Sequence, residues 1–378
     1  MGNSEFIPVC EPLLDGNEEK YVVQALRNGW ISSSGAFVSE FEERFAAYCG
    51  RRFGLTTTSG TTSLHLALLA AGVTSGHEVI LPDFTMVSTL FAVLYCGARP
   101  VFVDVDEDTW NLNPADIEKK ITRRTKVILP AHIFGHPAEM TSILDVAKQH
   151  GLAVVEDAAQ AHGALYEGQK CGGMGEIGCF SFFANKLITT GEGGMLVTDD
   201  EELYDRARYY RNLCFDLNAP RDYQHRDLGY NFRFTNLQAA VGLGQLESID
   251  RYLGMRRATA HRYNEALRDV PGVRVPIEQP GCKSAYWMYA ITIAPAVFGM
   301  TRDTLMAELK EKGIDSRMLF KPMHSQPVLQ ARGLADPKPY PVTERLAETG
   351  LYLPTSTSLR AEQVAYICEM VGSLGKGR

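Results

Sequence analysis

A lysine, an aspartate and two hydroxyl-bearing sites carry most of the chemistry this sequence offers. Lys186 stands in FSFFANKLITTGEGGM, between an apolar run and a glycine-rich one. A strand ending in FSFF puts the lysine on a loop at a strand end, where α/β sheets bind ligands. The glycines that follow let backbone approach a ligand closely. Asp157 ends the run VVED, 29 residues before the lysine. A carboxylate at the end of a buried strand needs a cation or a donor. A pyridinium nitrogen is such a partner, and the carboxylate keeps it protonated. Ser59-Gly60-Thr61-Thr62 opens an apolar helical run. Backbone N–H groups and hydroxyls at a helix start form an anion site. Ser181 points away from Phe180 and Phe182 if the segment is a strand, and can add a hydroxyl for a phosphate.

Taken singly, each feature has an ordinary explanation. Lys186 can be a solvated loop residue. Asp157 and Ser59 can be helix caps, and Ser181 can bond nearby backbone. Together, an amine, a carboxylate and a phosphate site fit pyridoxal 5′-phosphate (PLP), with Lys186 as the amine that joins its aldehyde.

The elements that must position these residues follow from apolar patterning. Residues 17–28 and 36–49 read as amphipathic helices, and residues 60–71 as a buried helix. Continuous apolar runs at Glu78–Pro82, Pro100–Val105, Lys126–Ala131 and Leu152–Glu156 read as strands buried on both faces. Helical patterns such as Pro114–Ile121 and Met140–His150 lie between them, as in βαβ units. Cys179–Phe183 and Gly194–Thr198 read as further strands. A helical stretch from about Thr235 to Leu267 follows, with a break expected near Gly254. Ser284–Ile293 alternates like a half-buried strand, and Arg302–Glu311 reads as a helix. The expected fold class is α/β, with a large domain over residues 1–249 and a smaller α+β domain over 250–378.

The 378 residues suit two domains, or one large domain with an appendage. A net charge of −7 argues against a nucleic-acid partner. The basic run Lys119–Lys126 reads as a solvated helix end. The start MGNSEFIPVCEP lacks a basic region followed by an apolar core, so no secretory signal is expected, and Met1-Gly2 is a poor myristoylation match. No apolar stretch reaches membrane-spanning length. Eight cysteines without a CxxC pair fit free thiols in a reducing cytoplasm rather than disulfides or a metal site.

The motifs VEDAAQAHGA, FSFFANK, TTGEGGM and LGYNFRFTNLQAAVGLGQLE, with IPVCEPLLDGNE and GWISSSG before them and RMLFKPMHSQP after, resemble the DegT/DnrJ/EryC1/StrS sugar aminotransferases. The resemblance runs nearly end to end. It implies the type I fold of PLP-dependent transferases, with a mostly parallel seven-stranded sheet. It also implies that Lys186 holds PLP and later carries protons, that Asp157 pairs with the pyridine nitrogen and that Gln160 stands beside the ring. Gly60, Thr61, Thr62 and Ser181 would hold the phosphate. Asn231 would reach that phosphate from a second subunit, which makes the active unit a homodimer. Trp30, Ser33 and His324 match positions around a nucleotide-linked sugar. The implied reaction moves an amino group from L-glutamate to a keto-6-deoxysugar. FSFFANKLITTGEGGM is especially similar to members that aminate C4 of GDP-4-keto-6-deoxymannose. A dTDP- or UDP-linked 4-keto or 3-keto sugar is the alternative, and a non-catalytic PLP-binding regulator is another. Related dehydratases carry histidine in place of the lysine, so Lys186 argues against dehydration. Two residues depart from the pattern: Met86 stands where relatives stack an aromatic ring on PLP, with Phe84 as a substitute, and Ala184 stands where they carry glycine.

Overall fold

The computed structural model describes residues 6–217, 219–220 and 223–375, so the Met1–Glu5 start lies outside the described residues. Its large sheet holds seven strands. These are β1 (Phe53–Thr57), β2 (Glu78–Pro82), β3 (Arg99–Val103), β4 (Thr125–Ile128), β5 (Ala153–Asp157), β8 (Ile177–Ser181) and β9 (Gly194–Thr198). The order is β1-β9-β8-β5-β4-β2-β3. Strands β8, β5, β4, β2 and β3 pair in parallel, while β9 runs antiparallel to both its neighbours. Six strands therefore share one direction, and their carboxyl ends open on one edge.

Two-residue strands β6 (Leu165–Tyr166) and β7 (Gln169–Lys170) form a ribbon with β11 (Cys282–Lys283). A second sheet, in the order β10-β12-β14-β13, joins β10 (Val273–Arg274), β12 (Tyr289–Ile293), β14 (Gly350–Leu353) and β13 (Arg317–Met318). The ribbon and a bridge from Ile7 to Ile314 tie the two sheet regions together.

Helices cover both faces of the large sheet, as continuous apolar strands require. On one face, α3 (Gly60–Ala70) and α4 (Val87–Tyr95) pack with Leu55, Cys179 and Leu196. On the other, α2 (Ala36–Tyr48) and α7 (Asn236–Leu246) pack with Phe180, Phe182, Met195 and Val197. Phe45 meets Phe180 edge-on at 4.9 Å and Phe182 at 5.2 Å. Each fully buried ring of this kind stabilises the fold by about 1.5–3 kcal/mol. The cluster fixes the end of β8, and with it Ser181 and the lysine loop.

Three expectations are corrected. Residues 114–121 form two 3₁₀ turns, Pro114–Asp116 and Glu118–Lys120, rather than one helix. The Asn113 side chain accepts from the Ala115 N–H, a local bond that competes with a longer helix. The long helical stretch breaks at Glu247–Ser248 instead of Gly254, between α7 and α8 (Ile249–Leu267). Glu247 is bonded to Asn17 and Tyr21 there, while Gly254 faces solvent, where its helix penalty of about 1 kcal/mol is tolerated. Finally, only Tyr289–Ile293 of the alternating segment is strand, because Tyr286 adopts a left-handed conformation (φ 46°) that turns the chain.

Candidate active site

The shared edge of the parallel strands gathers the chemical residues. β1 leads through Ser59 into α3, β2 leads through Asp83 and Met86 into α4, β5 ends in Asp157, and β8 ends in Ser181 just before the lysine loop. Ligands bind at this edge because loops there can converge without obstructing the sheet.

Asp157 is buried (7% exposed). Its Oδ2 accepts from Thr89 Oγ1 at 2.7 Å and its Oδ1 from the Ala159 N–H at 3.2 Å. Burial pushes its carboxyl above the usual range, against the pull of these donors and of Lys186. Two donors leave a carboxylate with unused acceptor capacity. A protonated ring nitrogen is a cationic donor that fits this remaining capacity.

Lys186 is half-buried on the turn after β8. Burial at its amine end lowers its pKa to about 8, with Asp157 and Cys10 pulling the other way. Its Nζ lies 3.8 Å from the ring centroid of Trp287. The indole N–H of Trp287 donates to the Asn185 carbonyl at 2.9 Å.

At the start of α3, Ser59 and Thr62 form a capping box: the Ser59 hydroxyl accepts from the Thr62 N–H, and the Thr62 hydroxyl from the Ser59 N–H. The first two helical N–H groups, of Gly60 and Thr61, have no acceptor within the helix. A Cβ on Gly60 would sit 2.7 Å from the Ser181 Cβ, and one on Gly194 would sit 2.4 Å from the Ser59 carbonyl oxygen. Only glycines allow helix start, β8 and β9 to close this tightly into a backbone cradle. Thr61 Oγ1 donates to Ser88 Oγ at 2.9 Å, which ties the cradle to α4. Amine, unsaturated carboxylate and anion cradle together fit PLP.

Gln160 is buried beside Asp157, and its Oε1 accepts from the Phe134 N–H at 2.7 Å. Met86 is 44% exposed at the start of α4. Phe84 is fully buried against Phe134 and Phe320, so Met86 is the side chain that the edge exposes. Ala184 is half-buried in the lysine turn. His324 is engaged: its backbone N–H and Nδ1 both bond Asp83 at 2.7 Å. Burial raises the Asp83 carboxyl to about 6 despite these bonds. Trp30 and Ser33 occupy the loop between α1 (Glu18–Arg27) and α2. The Asn236 side chain pins this loop by donating to the Trp30 carbonyl at 2.6 Å. Asn231 is exposed and forms an isolated bridge with Asn212.

Thr89 and Trp287 are the site residues that sequence reasoning missed. Thr89 lies in the same turn of α4 as Met86, and its type alone gives no signal. Trp287 comes from a segment 101 residues after Lys186. No helix among the described residues is long and apolar enough to cross a membrane, and all eight cysteines are free.

The chain is similar to known proteins over nearly its whole length. The model of the DegT/DnrJ/EryC1/StrS aminotransferase family matches residues 12–372. The chain is 41% identical to a GDP-perosamine synthase of Escherichia coli O157:H7, over 97% of this chain and 98% of that protein. It is 43% identical to a GDP-perosamine synthase of Caulobacter vibrioides, over 95% of each. The crystal structure of S. venezuelae DesV superposes with a TM-score of 0.92 at 33% identity, covering 99% of this chain and all of that one. The chain therefore belongs to the DegT/DnrJ/EryC1/StrS family of PLP-dependent sugar aminotransferases.

Proposed function

We propose that this enzyme transfers the amino group of L-glutamate to C4 of GDP-4-keto-6-deoxymannose, giving GDP-perosamine and 2-oxoglutarate. The observation that carries the substrate is the near-complete coverage at 41% and 43% identity with two GDP-perosamine synthases. The site geometry carries the chemistry.

When bound, PLP supplies an aldehyde for the amine and a ring that takes up electrons from the donor's α-carbon. The chain's own residues do the rest. Lys186 presents an amine that is neutral in roughly one molecule in ten at pH 7, against far fewer for an exposed lysine. With its Nζ free, Lys186 would be the base that takes the donor's α-proton and the acid that returns it. Asp157, its carboxylate fixed by Thr89, would accept from the ring N–H. The Gly60 and Thr61 amides, the Thr61 and Thr62 hydroxyls and Ser181 hold the phosphate. Met86 would cover the ring with a polarizable sulfur in place of an aromatic face. Gln160 borders the ring.

Asn231 completes the phosphate site from a second copy of the chain, so the working unit is a homodimer. Its exposure, with that of Met86 and Phe183 (44% and 45%), supports this reading, since exposed apolar side chains near a site favour a covering surface. Trp30, Ser33 and His324 line the sugar nucleotide, His324 held by Asp83. The division into residues 1–249 and 250–378 rests on the second sheet, whose strands all fall after residue 249.

A substrate panel tests the proposal. GDP-, dTDP- and UDP-linked 4-keto and 3-keto sugars are incubated with glutamate, and products are read by mass and NMR with 2-oxoglutarate release. Amination confined to a dTDP- or UDP-sugar would replace the GDP assignment. Bound PLP without turnover on any sugar would favour a regulator.

A further inference from the structure

We propose that Trp287 is a positioning residue for the reaction, its indole face holding the Lys186 ammonium whenever the amine is not bonded to the cofactor. This rests on Lys186 being the catalytic amine. The Nζ sits 3.8 Å from the Trp287 ring centroid, well inside cation–π range. Such a contact stabilises the charged amine and leaves the neutral one unaffected. The amine must exist in both forms during a cycle, since it takes a proton from one carbon and gives a proton to another.

The tryptophan is held in this place from three directions. Its N–H donates to the Asn185 carbonyl, the residue immediately before the lysine. Its own carbonyl accepts from Arg256 Nη1 at 2.8 Å. Arg256 is 1% exposed, and also donates to Thr357 Oγ1 at 2.9 Å and to Cys10 Sγ at 3.3 Å. A buried guanidinium with neutral acceptors is an expensive fixture, whose removal leaves several groups unpaired. Here it joins α8, the N-terminal segment and the segment before β12 behind one indole ring. The left-handed Tyr286 makes the turn that delivers that ring, and Ser284 Oγ accepts from its N–H at 3.1 Å. Ring face and N–H have separable tasks. The face acts on the charge of Nζ, while the N–H fixes the lysine turn.

The amine pKa of Lys186 in the full-length chain freed of cofactor tests this, read by competitive isotopic acetylation across pH with mass spectrometry. Trp287→Leu should lower the midpoint of Lys186 labelling by about one unit, as expected when a desolvated cation–π contact is lost. Trp287→Phe keeps a ring face and loses the N–H, so its midpoint should stay within about 0.3 unit of the parent. An unchanged or raised midpoint in W287L overturns the proposal, as does an equal fall in W287F. Should W287L fail to fold, Trp287→Met makes the same comparison with an unbranched side chain. Borohydride trapping of PLP on Lys186 in each variant checks the underlying role of the lysine separately: loss of trapping in the parent chain would refute that role, whatever the midpoints.

Discussion

Lys186 must shed a proton before it can attack a carbonyl, and its surroundings favour that. Burial brings its pKa to about 8, and Asp157 prevents a further fall. The rate at which the cofactor-free chain captures PLP should therefore rise about tenfold per pH unit below about 8 and level off above it. Stopped-flow absorbance checks this, and a plateau reached only near 10.4 would mean that the amine is open to water. Lys186→Ala should abolish turnover and borohydride-stable attachment while the fold persists. In the proposed arrangement Asp157 serves the other end of the ring. Asp157→Asn removes the charge that retains the ring proton, so PLP affinity should weaken by about 1.5–3 kcal/mol, roughly ten- to a hundredfold. Equilibrium titration measures it, and an unchanged Kd would remove the pyridinium pairing.

Elements set the tolerances around these groups. The start of α3 lies so close to β8 that a methyl on Gly60 meets the Ser181 Cβ at 2.7 Å. Gly60→Ala should destabilise by about 1–3 kcal/mol and weaken PLP binding, because the helix start must move out of the cradle. Gly254→Ala is its control. It meets open space in α8 and should stabilise by about 0.5–1 kcal/mol without touching PLP affinity. Thermal and urea unfolding compare the two. Strand β5 has its own anchor on the face opposite Asp157. Glu156 is fully buried and accepts from His132 Nε2 at 3.0 Å and from the Gly172, Met174 and Gly175 N–H groups. Burial pushes its carboxyl up, but His132 and the amides outweigh this and hold it below the usual range. A carboxyl lower in the folded than in the unfolded state stabilises fully above the unfolded value of about 4.3 and stops doing so as pH falls through the folded one. Glu156→Ala should cost about 3–5 kcal/mol at neutral pH, less in strong acid. An equal loss at pH 3 and pH 7 would contradict the ionised assignment.

At the scale of the whole molecule, the proposed shared site makes two impaired variants complementary. Lys186→Ala chains, inactive alone, and Asn231→Ala chains, weakened alone, should recover up to about a quarter of parent activity when unfolded and refolded together. The mixed dimers then contain one site with neither change. Light scattering gives the oligomeric state, and mixtures no more active than their components would place the entire site within one chain.

Much of this protein is determined by its sequence alone, for a local reason. A strand buried on both faces must be apolar throughout, so β2 and β9 and the helices at Met140–His150 and Arg302–Glu311 can be read directly. The lysine, the aspartate and the α3 cradle are legible because each belongs to a short motif at an element end, where backbone chemistry constrains residue type. Tertiary structure decided the rest. Patterning did not mark β1, whose sequence FGLTT carries only two large apolar side chains, and its place follows from pairing with β9. The turn at Tyr286 breaks an alternation that locally favours strand. Thr89 reaches Asp157 across 68 residues and Trp287 reaches Lys186 across 101. No local rule specifies such contacts, because they exist only once two separately formed packing layers meet, and the free energy that fixes them belongs to that meeting rather than to either segment.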